Sequence, residues 1–564
     1  MISRLLKNSH MIQTTTRQTF DQLLKQYYSA WFRFHPEMAV HVGVSGYEEQ
    51  LTPFDDEDIG ALISLNQKIL SSLEEMKLSE LSPTQQIDFT ILYNAASIEL
   101  HELLERDWRF FSPQKFLPLD AIHQLTNRPV QNIHKALKHR LEAIPEHLRA
   151  AKTYLAQTPQ TIPADWVSDT ISSVASGVVY LRGLLKDPVV AREFQNPSRL
   201  QTICDAAAVA MEQFEKFLRQ DILPKAAGEF ACGESHFNML LQNWHGLDID
   251  ADQLYRFGEQ LFLRTQDELQ QVARELGANK TIDEVMAGIR RQHPQNTDKS
   301  LLDAYRMRMQ AAYQFVQKNN LLTLPENQAL KVMETPLFLR HEIPFAAYEE
   351  PACKDVKQQG YYYVTPVNSD AQLLEHNWTS IDLTCVHEAF PGHHLQFVSA
   401  NQSPENSLPR MLNASATLYE GWALYCEELM QEQGFLDRPE HRFMMLRDRL
   451  WRALRVMLDV ELHTRGLDVQ SAAQRMCDAL GFDMQQAKAD LSWYTQSPTV
   501  PMSYALGWAM IKALREEEMK KANFNLRVFH DRLLSAGSCA LPLVIKSRFG
   551  DQAWQAVRQK VFVD

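Results

Sequence analysis

Along most of the chain, apolar positions recur with the 3.6-residue period of a helix packed on a core. Between Phe20 and Phe34 they fall at 20, 23, 24, 27, 28, 31 and 34. The same stripe returns over 59–76, 84–106, 133–156, 197–219, 251–275, 300–318, 441–465 and 503–517, which predicts nine helices. Proline steps such as Ser82-Pro83 and Asp187-Pro188 separate them. The best strand pattern is Gly360-Tyr-Tyr-Tyr-Val-Thr365, rich in β-formers and closed by Pro366. There is no fixed-period repeat and no low-complexity linker. These patterns predict a mainly α fold with at most a small β-sheet. A soft division near 325–335 separates a helical part, 1–330, from a part holding the chemical motifs, 331–564. The two are expected to form one continuous globular unit.

Composition changes this picture little. The chain has 564 residues, 45% of them apolar and 23% charged, ordinary proportions for a soluble protein. A net charge of −13 argues against nucleic acid as a partner. The seven cysteines, at 204, 232, 353, 385, 426, 477 and 539, form no CxxC pair, so a zinc ribbon or thioredoxin-like site is not indicated. They are expected to be free thiols in a reducing compartment. The opening residues, MISRLLKNSHMIQTTT, carry basic residues but no apolar core of signal-peptide length, and Met11 is an alternative start. The longest uncharged stretch, Leu491 to Ile511, contains Pro498 and Pro501 and reads poorly as a membrane span. The expectation is a cytoplasmic protein with no membrane partner.

The candidate chemistry gathers in HEAFPGHHLQ, His387 to Gln396. The zincin pattern H-E-x-x-H sets two imidazoles on one helix face at i and i+4. Here position 391 is proline. In a helix Pro391 lacks its N–H and its ring meets the carbonyl of His387, at a cost of about 3 kcal/mol. Gly392 adds backbone freedom. The helix is therefore expected to bulge or break at 390–392, bringing His393 to the place of the second ligand. His394, two turns beyond His387, is the alternative.

A catalytic zinc ion takes three protein ligands and keeps one position open. Glu420 is the candidate third ligand. Its helix neighbours Ala416, Thr417, Ala423 and Leu424 make its face mostly apolar. A carboxylate buried there is costly unless a metal, or an arginine, compensates it. Glu427, two turns on, is expected to orient a histidine, or to replace Glu420 as ligand. On another largely apolar helix, Arg455, Asp459 and His463 form a polar stripe at i, i+4 and i+8. That stripe lines a cavity or internal network, or is a surface Arg455–Asp459 pair of small value.

Together, HEAFPGHHLQ and LYEGWALYCEEL closely resemble the bacterial family called domain of unknown function 885. The likeness extends to TPLFLRHEIPFAAYEEP at 335–351, GYYYVTP at 360–366, SYALGWAMIKALR at 503–515 and FHDRLLSAGSCALPL at 529–543. That family is similar to gluzincin peptidases, some of which carry an extra residue between their zinc-binding histidines. The resemblance implies a helical ellipsoid with a deep cleft, of zincin-like architecture, that admits short peptides. By position, it implies one zinc ion held by His387, His393 and Glu420, with Glu388 as general base. Many members of that family are lipoproteins, but with no lipobox seen here, export is not expected to carry over.

The expected function is zinc-dependent hydrolysis of short peptides by activated water. Tyr504 or His463 is the candidate donor to the oxyanion. The strand at 361–364, with Tyr362, is a candidate to pair with an extended peptide. Arg455 is a second candidate substrate-binding residue. The alternatives are hydrolysis of a non-peptide amide or ester, and a zinc-stabilised binding protein without catalysis.

Overall fold

The computed structural model describes residues 19–562 except 195, 196, 279, 296, 297, 341, 342 and 344. The expectations placed on the first sixteen residues, including a start at Met11, lie outside the described residues.

The fold is mainly helical with one small sheet. The amphipathic stripes become helices at Asp56–Glu74, Pro83–Glu105, Ile133–Leu155, Pro197–Phe217, Ala251–Leu276 and Asp298–Asn319, each within a few residues of its expected ends. Side chains set several starts. Ser82 accepts from the Gln85 N–H while Gln85 reaches back, and Asp250 and Gln253 repeat this capping box. The largest apolar core joins Phe237, Leu254 and Leu269 to Val386, Trp422, Leu458 and Leu506, so the helices at 234–276 pack with those that carry the chemical motifs. A second core, around Leu137, Ile171 and Phe214, fills the N-terminal helices.

Five helices build the site: α1 (Trp378–Glu388), α2 (His393–Asn401), α3 (Ala416–Glu432), α4 (Pro439–Thr464) and α5 (Ser503–Glu518). Between α1 and α2 the helix breaks. The N–H groups of Ala389 and Phe390 both turn back to the Cys385 carbonyl, at 3.1 and 3.2 Å. The Phe390–Pro391 peptide is cis, and the helix resumes at His393. Gly392 is required by close approach, since a Cβ there would stand 1.8 Å from the His387 carbonyl oxygen. Trp422 in α3 fixes the break by donating to the Pro391 carbonyl at 2.8 Å. Where α3 crosses α5, a Cβ on Gly507 would meet the Thr417 carbonyl oxygen at 2.1 Å. Two glycines, Gly421 and Gly507, thus let these backbones touch and bring Glu420 beside Tyr504.

The sheet comprises β1 (Ala329–Glu334), β2 (Ala346–Glu349) and β3 (Gln359–Val364), in the order β1-β3-β2. β3 pairs in parallel with β1 and antiparallel with β2. This corrects the role expected of Tyr362. Its strand is central, with both edges taken, so no peptide can add to it. The Tyr362 side chain is fully buried against Tyr305, Ile381 and Cys385.

Candidate metal centre

His387 is the last residue but one of α1 and His393 the first of α2, so the break aims both imidazoles at one point. Glu420 reaches that point from α3. His393 Nε2 lies 3.3 Å and His387 Nε2 3.5 Å from the same Glu420 oxygen, Oε2. All three candidate ligand atoms fall within 4.8 Å of one another. Tetrahedral ligands at ~2.1 Å from zinc stand ~3.4 Å apart, so the spacing suits such an ion. Glu420 Oε2 is buried and accepts no hydrogen bond. His387 Nδ1 is 2.8 Å from Glu427 Oε1. A carboxylate oxygen accepts, so this contact places a proton on Nδ1 and makes Nε2 the nitrogen that faces Glu420.

The electrostatics also call for a cation. Among the described residues, Glu388, Glu420 and Glu427 form ion pairs with His387 and His393 only, and with no Lys or Arg. Burial opposes a charge on His387, yet Glu420 and Glu427 push its pKa up to about 10. Burial would raise Glu420, but His393 and His387 hold it well below the usual carboxylate range. Glu388, 17% exposed, faces the same cleft, its Oε2 4.0 Å from His393 Nε2. Its burial raises its pKa against the pull of His393 and His387, the direction that suits a base working near neutrality.

His394 does not join the group. Its Nε2–H donates to Gln328 Oε1 at 2.7 Å and its Nδ1 accepts from the Tyr348 hydroxyl at 3.1 Å. Burial brings its pKa down to about 3, so it is a neutral, fully engaged imidazole.

The centre opens on a cleft of about 650 Å³. His41 lines it from the N-terminal part, Ala346 to Tyr348 of β2 from the sheet, and Arg452, Arg455 and Tyr504 from α4 and α5. Burial and then the Glu420 carboxylate raise the Tyr504 pKa far above the ordinary value, so its hydroxyl remains a donor. Arg455 lies 4.8 Å over the Tyr504 ring and 4.2 Å over Trp451, and pairs with Asp490 at 3.5 Å. It holds the cleft wall in place.

His463 is elsewhere, and its expected catalytic part is corrected. Its Nε2–H donates to the Tyr494 carbonyl at 3.0 Å and its Nδ1 accepts from the Cys232 N–H at 3.4 Å. Neither nitrogen is left for an oxyanion. Asp459 accepts from the Thr499 and Met502 N–H groups at 3.2 and 3.4 Å. The stripe on α4 is thus an internal network and not a surface pair. Sequence reasoning missed Tyr348, which stacks 6.2 Å from His393, and Tyr419, 6.1 Å from it. Tyr419 adjoins Glu420 and was within reach of the motif; nothing near Tyr348 in sequence points to His393.

The sequence over residues 36–546 matches the family described as bacterial protein of unknown function, DUF885, and the chain belongs to that family. No curated protein matches it. Two putative lipoproteins share the fold. The one from Shewanella oneidensis, of unknown function, is 22% identical, with a TM-score of 0.73 over 93% of this chain and 98% of its own. The one from Colwellia psychrerythraea is 18% identical, with a TM-score of 0.79 over 97% and 99%. These neighbours correct the cytoplasmic expectation, which had rested on the N-terminal residues, the scattered cysteines and the lack of a membrane-spanning stretch. All seven cysteines are free thiols, and buried thiols do not by themselves indicate a reducing compartment. No described helix is long and apolar enough to cross a membrane.

Proposed function

We propose that this chain is a zinc-dependent hydrolase of short peptides, with one ion held by His387, His393 and Glu420. The observation that carries the reading is the convergence of two imidazole Nε2 atoms on a buried carboxylate oxygen that has no other partner. When bound, zinc supplies Lewis acidity, acidifying a water toward a pKa of ~7 and polarising a carbonyl. Glu388 then accepts the water proton and returns it to the leaving amine. The Tyr504 hydroxyl donates to the developing oxyanion, and Arg455 fixes the Tyr504 ring. Glu427 keeps His387 in the tautomer that leaves Nε2 free. The strand-pairing role passes to β2, whose residues line the cleft and which pairs with β3 on one side. The cleft volume falls in the range of small-ligand sites, which fits a short peptide rather than a folded protein.

The relatives' description as lipoproteins favours an envelope setting for this chain, which cell fractionation would check. The enzymatic reading is tested by incubating the purified, zinc-loaded protein with a mixed peptide library and following products by mass spectrometry. Cleavage that stops with a chelator and returns with zinc is expected. A metal-loaded protein that releases no product from peptides, amides or esters would leave only the non-catalytic binding protein.

A further inference from the structure

We infer that Arg452 anchors a carboxylate of the substrate, so that the cleft selects peptides presenting a free carboxylate close to the bond that is cut. The inference rests on the hydrolase reading and adds to it a substrate class.

Among the described residues, three arginines line the cleft and no lysine does. Arg410 is spent within the fold. Its Nε donates to Asp88 at 2.7 Å, Nη1 to the Ala536 carbonyl at 3.2 Å, and Nη2 to the Thr84 carbonyl at 3.2 Å. Arg455 is paired with Asp490 and closed in by the rings of Trp451 and Tyr504. Arg452 shares with Arg455 a buried Nε without a partner, but it is 13% exposed against 6% and meets two rings where Arg455 meets four. Only its Nη1 has partners, the Asp448 carbonyl at 3.5 Å and Asp448 Oδ1 at 3.6 Å, each at the limit of a useful contact. Its Nε is buried without a partner, and its Nη2 makes no hydrogen bond to any described residue. Its side chain is only 13% exposed, so water compensates the charge poorly.

The guanidinium lies 4.6 Å over the Trp451 ring and 6.0 Å from that of Tyr504. These contacts hold the side chain and leave Nη2 without a protein partner among the described residues, and a guanidinium N–H forms a charge-assisted hydrogen bond with a carboxylate. Arg452 also lines the same cleft as Glu388, Glu420 and Tyr504. The carboxylates of Glu350, Glu388, Glu420 and Asp448 line the same cleft, a setting that suits a singly charged carboxylate better than a phosphate. That carboxylate is either the peptide C-terminus or an acidic side chain.

The test measures kcat/KM of the zinc-loaded protein on three sets of short peptides: neutral peptides with free C-termini, the same peptides as C-terminal amides, and amidated peptides containing Glu. Free acids are expected to exceed neutral amides by about 100-fold, the scale of a charge-assisted pair in a desolvated site. In Arg452→Gln the acids should fall until that ratio approaches one, with Arg452→Lys between. The ratio is taken within each variant, so a loss of active protein does not imitate the result, and Arg452→Lys serves if Arg452→Gln does not fold. Activity on amidated Glu peptides equal to that on free acids would support the anchor and show that either carboxylate fills it. Equal, chelator-sensitive cleavage of all three sets would overturn the inference and leave the hydrolase standing. No cleavage of any set by metal-loaded protein would overturn the hydrolase reading, and the inference with it.

Discussion

Two polar triads lie buried in this molecule: His387, His393 and Glu420 at the break between α1 and α2, and Arg455, Asp459 and His463 along α4. Both interrupt apolar helices, and both invite a catalytic reading from sequence. In the second, Asp459 accepts from two backbone N–H groups, both nitrogens of His463 are engaged, and Arg455 has Asp490 and four aromatic rings. In the first, the atoms facing one another are two imidazole nitrogens and a carboxylate oxygen without a partner. Burial alone therefore does not mark a site. A set of acceptor atoms that the chain assembles and leaves unsatisfied does, because that arrangement is costly until something else completes it.

The largest expected effect sharpens this contrast at the centre. Glu388→Gln should lower hydrolysis by about 1,000-fold, the scale of a lost general base, with zinc content unchanged. Equal turnover by that variant, free of wild-type protein and fully loaded, would remove the assigned role. At the other triad the loss should appear in stability instead. Asp459→Ala strands two buried N–H donors and should cost about 3 kcal/mol in chemical denaturation, while metal content per folded protein stays at the wild-type level. Metal loss at unchanged stability would erase the distinction.

His463 gives a third, pH-dependent effect. Burial lowers its pKa to about 4, so the native protein refuses a proton that the unfolded chain accepts near 6.5. Its contribution to stability is therefore full above pH 6.5 and is lost as pH falls toward 4, a change on the order of 3 kcal/mol. Urea melts of wild type and His463→Gln across that interval should converge on acidification, and parallel curves would contradict the buried neutral imidazole. The smallest effect concerns Glu427. Glu427→Gln keeps an acceptor for His387 but loses the charge, and zinc affinity should weaken by about 10-fold in competition with a chelator. No change in affinity would reduce Glu427 to a packing role.

Much of this was legible in the chain, for identifiable reasons. Long helices announce themselves because a stripe of apolar positions has no other use, and Pro391 after His387 forces a break whatever surrounds it. Glu420 was legible as a carboxylate on an apolar face. The strand β1 was not: Ala-Leu-Lys-Val-Met-Glu is mostly helix formers, and it extends only because β3 offers a parallel ladder. Tyr362 was misread because richness in β-formers does not tell a central strand from an edge. His463 was misread because a stripe of eight residues spans ~12 Å of helix, so one end can line a cleft while the other is sealed in the core. Arg452, one turn before Arg455, was passed over because the sequence does not show which arginine the aromatic rings and Asp490 would claim. The setting in the cell was misjudged because terminal composition reports little on it.

In the proposed site the α1–α2 break gathers His387, His393 and Glu420 around one metal ion and leaves His394 outside it. Elemental analysis of the purified wild type, His393→Ala and His394→Ala, each dialysed against the same trace of zinc, tests it most directly. One equivalent of zinc is expected in the wild type, close to none in His393→Ala, and one in His394→Ala. A wild type without stoichiometric metal, or zinc lost from His394→Ala and kept by His393→Ala, would contradict it.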